Sequence, residues 1–257
     1  MPMLKKFLSS SFIVLSAMMI HAQQTQIIAH RGFWKTDGSA QNSITALTLA
    51  GKHQFYGSEL DIHLTKDDVL VVFHDHEIDG KTIEKSNYDE IQNHQLKNGE
   101  TIPTLRQYLE EGQKFPQLKL ILEIKSHQEQ NRENQAVQQI LALVKELQLG
   151  QQVEYISFSA NICDQLKKQQ TDVIVSYLNG DLSPKDVHAK GWNGIDYHYK
   201  VFLNNPTWIK EANEMGLITN SWTINDEKIM DHLIRQNIQY ISTDRPLILQ
   251  SKLKMNL

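Results

Sequence analysis

The sequence holds one cysteine, Cys163, in 257 residues, so no disulfide can form within a chain. Asn161, Ile162 and Asp164 beside it offer no base or cation to hold a thiolate, which sets thiol chemistry aside in favour of a buried helix position. A dense Lys/Arg run is also missing, and the formal charge is −4. An electrostatic nucleic-acid binder needs the opposite balance. No G-x-G-x-x-G follows the first strand-like run, which weakens a dinucleotide fold. No G-x-S-x-G elbow and no H-E-x-x-H helix appear, which argues against a serine hydrolase of that type and a zinc protease.

Long apolar runs are scarce too. The run from Phe7 to Ile20 falls short of the ~20 residues of a spanning helix. Lys5 and Lys6 precede it and His21-Ala22-Gln23 follow, the layout of an export signal with cleavage after Ala22. An uncleaved anchor is the alternative. The expectation is a leader over residues 1–22, no stable membrane insertion after its removal, and a periplasmic or secreted single domain over 23–257.

The stretch from Gly57 to Asp75 organises the rest. It reads G-S-E-L-D-I-H-L-T-K-D-D-V-L-V-V-F-H-D. Strand alternation places Glu59, Asp61 and His63 on one face and Leu60, Ile62 and Leu64 on the other. Thr65 to Asp68 reads as a turn and Val69 to Phe73 as a return strand. A turn centred on Lys66-Asp67 sets Glu59 opposite His74, and a slip toward Asp68 sets Asp61 there. Either register brings an imidazole to two acids that are costly to bury unpaired.

Strand-like and helix-like segments alternate along the mature chain. Eight strands, at Ile27, Glu59, Leu120, Val153, Val173, Ile195, Ile218 and Tyr240, with helices between them, predict an α/β fold of the (β/α)8 TIM-barrel type. A hairpin and a short excursion, Asp75 to Thr101, follow strand two. A doubly wound open sheet is the runner-up. In a barrel, chemistry gathers where strands end. The strand ends offer His30-Arg31-Gly32, then Glu59, Asp61 and His74, then Glu123 and Lys125, then Trp222, and last Asp244 in T-D-R-P. Three carboxylates suit one hard divalent ion, Mg²⁺ or Ca²⁺. An Arg and a Lys beside it suit a phosphate. Two histidines can divide acid and base work. Together these predict metal-assisted phosphoryl transfer. Trp222 reads as a pocket wall or as an apolar plug at the barrel top, His63 as structural, and Tyr197 and Tyr199 as packing.

The segments I-I-A-H-R-G, N-S-I-T-A-L, S-E-L-D-I-H-L-T-K-D-D-V-L-V-V-F-H-D, I-P-T-L, L-E-I-K, S-W-T-I-N and S-T-D-R-P, in that order from Ile27 to Pro246, resemble the glycerophosphodiester phosphodiesterase family. The resemblance implies a (β/α)8 barrel that hydrolyses a small-molecule glycerophosphodiester to glycerol 3-phosphate and an alcohol. It implies a divalent metal at Glu59, Asp61 and Glu123, with His30 and His74 as the acid/base pair. Arg31 and Lys125 would hold phosphate or nearby substrate oxygens. In the family's reaction a glycerol hydroxyl attacks phosphorus first, and water then opens the cyclic phosphate. Ala40-Gln41-Asn42 stands where the family has Pro-Glu-Asn, and the lost acid is expected to weaken metal binding or change the preferred ion. A phospholipase of the D or C type and a non-catalytic glycerophosphodiester-binding protein are the competing readings.

Overall fold

The structure, a computed structural model, describes residues 24–255. The expected leader lies outside them. Among the described residues no helix is long and apolar enough to cross a membrane.

Among the described residues eleven strands and nine α-helices follow one another. The strands are β1 (Gln26–Ala29), β2 (Gly57–Leu64), β3 (Leu70–Val72), β4 (Glu77–Ile78), β5 (Lys81–Thr82), β6 (Lys119–Ile124), β7 (Val153–Ser157), β8 (Val175–Tyr177), β9 (Gly194–His198), β10 (Ile218–Trp222) and β11 (Tyr240–Thr243). The helices are α1 (Ile44–Lys52), α2 (Leu105–Gly112), α3 (Gln130–Glu146), α4 (Ala160–Gln169), α5 (Pro184–Ala189), α6 (Tyr199–Asn204), α7 (Trp208–Glu214), α8 (Glu227–Arg235) and α9 (Pro246–Met255). Strands β1, β2, β6, β7, β8, β9, β10 and β11 pair in parallel, and the β1–β2 ladder closes the ring. The fold is therefore a (β/α)8 barrel with a hairpin and an excursion after its second stave.

The two faces of each stave separate cleanly. Leu60, Ile62, Leu64, Leu120, Leu122 and Ile124 turn outward into the layer shared with the helices. Ile28, Ile121, Ile156, Leu178 and Tyr240 turn inward and pack with Trp222 inside the barrel. Parallel staves buried on both sides need continuous apolar runs, and polar residues survive inside only where the barrel opens. Cys163 is buried in α4 among the outer layer, and burial pushes its thiol up, which leaves it inert.

β2 is longer than its neighbours for a reason. β1 covers only Gly57 and Ser58, so the edge beyond is free for β3, which pairs antiparallel with Ile62 to Leu64. The hairpin register differs from both expected ones. Leu64 pairs with Leu70 and Ile62 with Val72, so the turn centres on Asp67. Asp68 supplies the extra residue in a left-handed conformation, φ 67°. This is the three-residue loop, a turn closed by one αL residue. Continued regularly, the ladder would set His74 opposite Leu60. Instead β3 stops at Val72, one further bond joins Phe73 N–H to Asp61 O (3.0 Å), and the chain bends to bring His74 to the barrel mouth.

The excursion has its own small core of Ile78, Ile83, Ile91, Leu96 and Ile102, resting on Ala40 and Val71. It is also tied to the barrel by Glu100. This carboxylate accepts the N–H groups of Ile44 (2.9 Å) and Thr45 (3.3 Å) at the start of α1, where unpaired donors and the helix dipole favour an anion. Ser43 Oγ accepts the Ala46 N–H (3.0 Å) as the cap of the same helix, a contact worth about 1 kcal/mol.

Candidate active site

The first stave ends in a tight turn with little room for a side chain at Gly32. Arg31 and Gly32 both take positive φ, 56° and 78°. A Cβ at Gly32 would meet the Ala46 side chain at 2.6 Å, so glycine lets α1 approach the turn. The turn aims the Arg31 N–H at Glu59 Oε2 (2.7 Å). Its guanidinium points the same way, with Nη1 donating to Gln41 Oε1 (2.8 Å) and Nε 3.6 Å from Asp61. Gln41 therefore holds Arg31 in place through its neutral amide.

Glu59 and Asp61 from β2 and Glu123 from β6 converge. Each offers one carboxylate oxygen, and the three oxygens lie within 4.8 Å of one another. All three residues are buried. Lys125 Nζ lies 2.7 Å from Asp61 and 2.5 Å from Glu123. Asn42 grips Asp61 twice, donating Nδ2 to Oδ2 (2.8 Å) and accepting the Asp61 N–H (3.2 Å). Asn42 has φ 58°, a left-handed conformation asparagine tolerates.

The charges are not balanced within the protein. Burial and the Asp61 and Glu123 charges push the Glu59 carboxyl well above its usual range. Burial and Asp61 raise Glu123 to about 7, against the pull of Lys125. Burial raises Asp61 as well, but Lys125, His74 and Arg31 outweigh it and bring that carboxyl to about 2. Glu59 Oε1 is buried without a hydrogen-bond partner. An orphaned oxygen and surplus negative charge on three oxyacids are the donor set a hard divalent cation takes. The cluster fits a metal ion.

Both expected histidines reach the same cavity and are held alike. His30 Nδ1 lies 2.8 Å from Asp244 Oδ1, and His74 Nδ1 lies 2.6 Å from Asp75 Oδ1. With each Nδ1–H donated to a carboxylate, the tautomer assigned from these partners leaves Nε2 unprotonated. The two anchors differ in depth. The Asp244 side chain is 14% exposed, that of Asp75 71%. Asp244 also accepts Nδ2–H of Asn225 (2.7 Å) and Nε1–H of Trp34 (3.1 Å). Burial raises its carboxyl, but His30, Asn225 and Trp34 together hold it below the usual range. Burial lowers the His74 ring, with Lys125 and Arg31 adding to it and Asp61 opposing.

The cavity, about 90 Å³, is lined by His30, Arg31, Glu59, His74, Glu123 and Lys125 on one side. Ile156, Phe158, Leu178 and Trp222 form the facing wall. Trp222 packs edge-on against Phe158 and His198 and donates Nε1–H to Asp196 O (2.9 Å). It is a pocket wall, held from below. All eight residues singled out in the sequence thus meet in one place or, for Asp61, touch those that do. His63 stands apart, buried beside His76 with its ring at the His74 carbonyl (3.4 Å). Sequence reading passed over Asn42 and Asp196. An acid between Ile195 and Tyr197 in a short apolar strand was the available signal for the second.

A family model described as the glycerophosphoryl diester phosphodiesterase family matches residues 30–248. A glycerophosphodiester phosphodiesterase of Parabacteroides distasonis, known from a crystal structure, is 44% identical, with a TM-score of 0.90 over 91% of this chain and 98% of that one. The glycerophosphodiester phosphodiesterase of Caldanaerobacter subterraneus subsp. tengcongensis is 26% identical over 87% of this chain and 95% of its own. An Oleispira antarctica phosphodiesterase, solved with its product sn-glycerol-3-phosphate, shares the fold at a TM-score of 0.75 and 24% identity, over 90% and 97% of the two chains. With a matching motif order, a closed barrel and this site behind it, the chain belongs to the glycerophosphoryl diester phosphodiesterase family and is a hydrolase.

Proposed function

We propose that the protein hydrolyses glycerophosphodiesters to glycerol 3-phosphate and an alcohol, with a divalent cation, Mg²⁺ or Ca²⁺, held by Glu59, Asp61 and Glu123. One observation carries this reading: three buried acids, two carboxylate-anchored imidazoles and two cationic side chains line or adjoin a single cavity. When bound, the cation supplies stabilisation of negative charge on the phosphoryl oxygens. Arg31 and Lys125 bind the same oxygens, the first as a fork and the second as a point charge.

His30 and His74 divide the proton work. One ring, entering neutral, takes the proton of the attacking glycerol hydroxyl at Nε2, and the other, entering as the imidazolium, gives its Nε2 proton to the departing alcohol oxygen. Attack closes a cyclic phosphate as the P–O bond to the alcohol breaks. Water then opens the ring, with the two imidazoles exchanging roles. Asp244 and Asp75 keep the Nδ1–H of each ring in place, so the protons move at Nε2. Phe158 and Trp222 exclude water from the facing side. The Oleispira antarctica enzyme carries sn-glycerol-3-phosphate as product, in keeping with this outcome.

The test is glycerol 3-phosphate release from a panel of glycerophosphodiesters with Mg²⁺, Ca²⁺ and Mn²⁺ in turn. Release that stops in excess chelator supports the proposal. Full activity in excess chelator overturns it. Residues 5–22 further support export by a leader cleaved after Ala22. N-terminal sequencing of the mature protein would then begin at Gln23, and a retained Met1 would contradict it.

A further inference from the structure

Asp196 is the one acid in the cavity that the proposed chemistry does not use. It projects inward from β9, and its residue is 2% exposed. Its Oδ1 is buried and has no hydrogen-bond partner. Burying such a group without a partner costs stability, so its retention calls for an explanation. No Lys or Arg pairs with it among the described residues. Burial raises its carboxyl to about 8, Asn220 opposes this and the Glu123 charge adds to it.

Its surroundings are built for a hydroxyl. Asn220 is its register partner on β10. Asn220 donates Nδ2–H to Ser242 Oγ (3.0 Å) on β11. Ser242 therefore accepts from Asn220 and keeps its own O–H proton to donate, and it too lines the cavity. The floor beneath Trp222 thus offers an acceptor at Asp196 and a donor at Ser242. An alcohol hydroxyl, which both donates and accepts, matches that pair.

We propose that Asp196, with Ser242, binds the glycerol hydroxyl that does not attack phosphorus, and so selects diesters of glycerol. This rests on the reaction proposed above. The phosphate is held at Arg31 and Lys125 on the β1, β2 and β6 side. On the β9 to β11 side Asp196 and Ser242 are 2% and 3% exposed, so that side takes the small constant part of the substrate. The variable alcohol leaves toward the open mouth. A site built around a substrate hydroxyl rejects the analogue without it far more strongly than an apolar pocket rejects a missing methylene.

The experiment compares glycerophosphocholine with its 2-hydroxypropyl analogue, which keeps the attacking hydroxyl and lacks the terminal one. Both are assayed with the full chain, Asp196→Asn and Asp196→Ala, in Mg²⁺ or Ca²⁺. The wild type is expected to favour the glycerol diester by about 100-fold or more in kcat/KM. Asp196→Ala should lose most of that preference, falling ~10–100-fold on the glycerol diester and less than about threefold on the analogue. The Tm of both variants should stay level or rise, since a buried carboxylate with an unsatisfied oxygen has gone. Equal losses on the two substrates, or a wild type without preference, overturn the assignment of Asp196 alone. A wild type that turns over neither diester with any cation overturns the reaction it rests on as well.

Discussion

The two imidazoles are wired alike but anchored at different depths, and this difference can be measured. The perturbation is Asp244→Asn against Asp75→Asn. Each replaces a carboxylate at a histidine Nδ1, at 2.8 Å and 2.6 Å respectively, by a neutral amide. At about 4 Å a charge pair is worth ~4 kcal/mol in partly buried surroundings and ~1 kcal/mol in water. Asp244, 14% exposed, belongs near the first figure, and Asp75, 71% exposed, near the second. Each ~1.4 kcal/mol is tenfold in rate. The Asp244 variant should therefore lose ~10²–10³ in kcat and the Asp75 variant no more than about tenfold. Steady-state release of glycerol 3-phosphate at saturating cation reads this directly, with a thermal melt to confirm that both variants fold. Equal losses, or a larger loss at Asp75, would refute the reasoning from burial.

Two further outcomes follow from the acidic cluster. Glu59, Glu123 and Asp196 carry folded-state pKa values raised above their unfolded ones. The folded cation-free protein thus keeps protons the unfolded chain has released, and these groups lower stability as pH rises from about 4 to about 8. Asp61, held at about 2, has the opposite sign, contributing fully above about pH 4 and losing that contribution as pH falls through 2. Cation binding needs the carboxylates ionised. The Tm gain from saturating Ca²⁺ should accordingly grow between about pH 5 and pH 8 in differential scanning calorimetry, and a gain that shrinks over that range would contradict the account. Asn42→Ala removes both hydrogen bonds to Asp61. It should weaken cation affinity by ~10–100-fold and leave kcat at saturating cation within a few-fold, read as activity against cation concentration.

The eight staves were legible because each must be apolar on two faces, and such runs stand out between amphipathic helices. The rim residues were legible because they interrupt those runs at their ends. The hairpin register was not. It depends on whether the turn holds two residues or three, and Asp68 adopts a left-handed conformation that no apolar pattern announces. His74 still reaches the cavity because the ladder stops at Val72. Asn42 was hidden for a similar reason, since its side chain serves Asp61 across nineteen positions of sequence rather than the helix beside it. The distribution of charge was also beyond the sequence. Lys125 next to Glu123 could have been a simple pair, and only the parallel pairing of β2 with β6, which sets Asp61 beside Glu123, brings Asp61 onto the same ammonium.

The most direct measurement is calorimetric titration of Mg²⁺ and of Ca²⁺ into the cation-free protein and into Glu59→Gln and Glu123→Gln. The wild type should bind one ion of at least one metal with proton release, and each variant should lose most of that affinity together with turnover. Unchanged binding in both variants, or full turnover by a wild type that binds no ion, would contradict the assignment of the three acids.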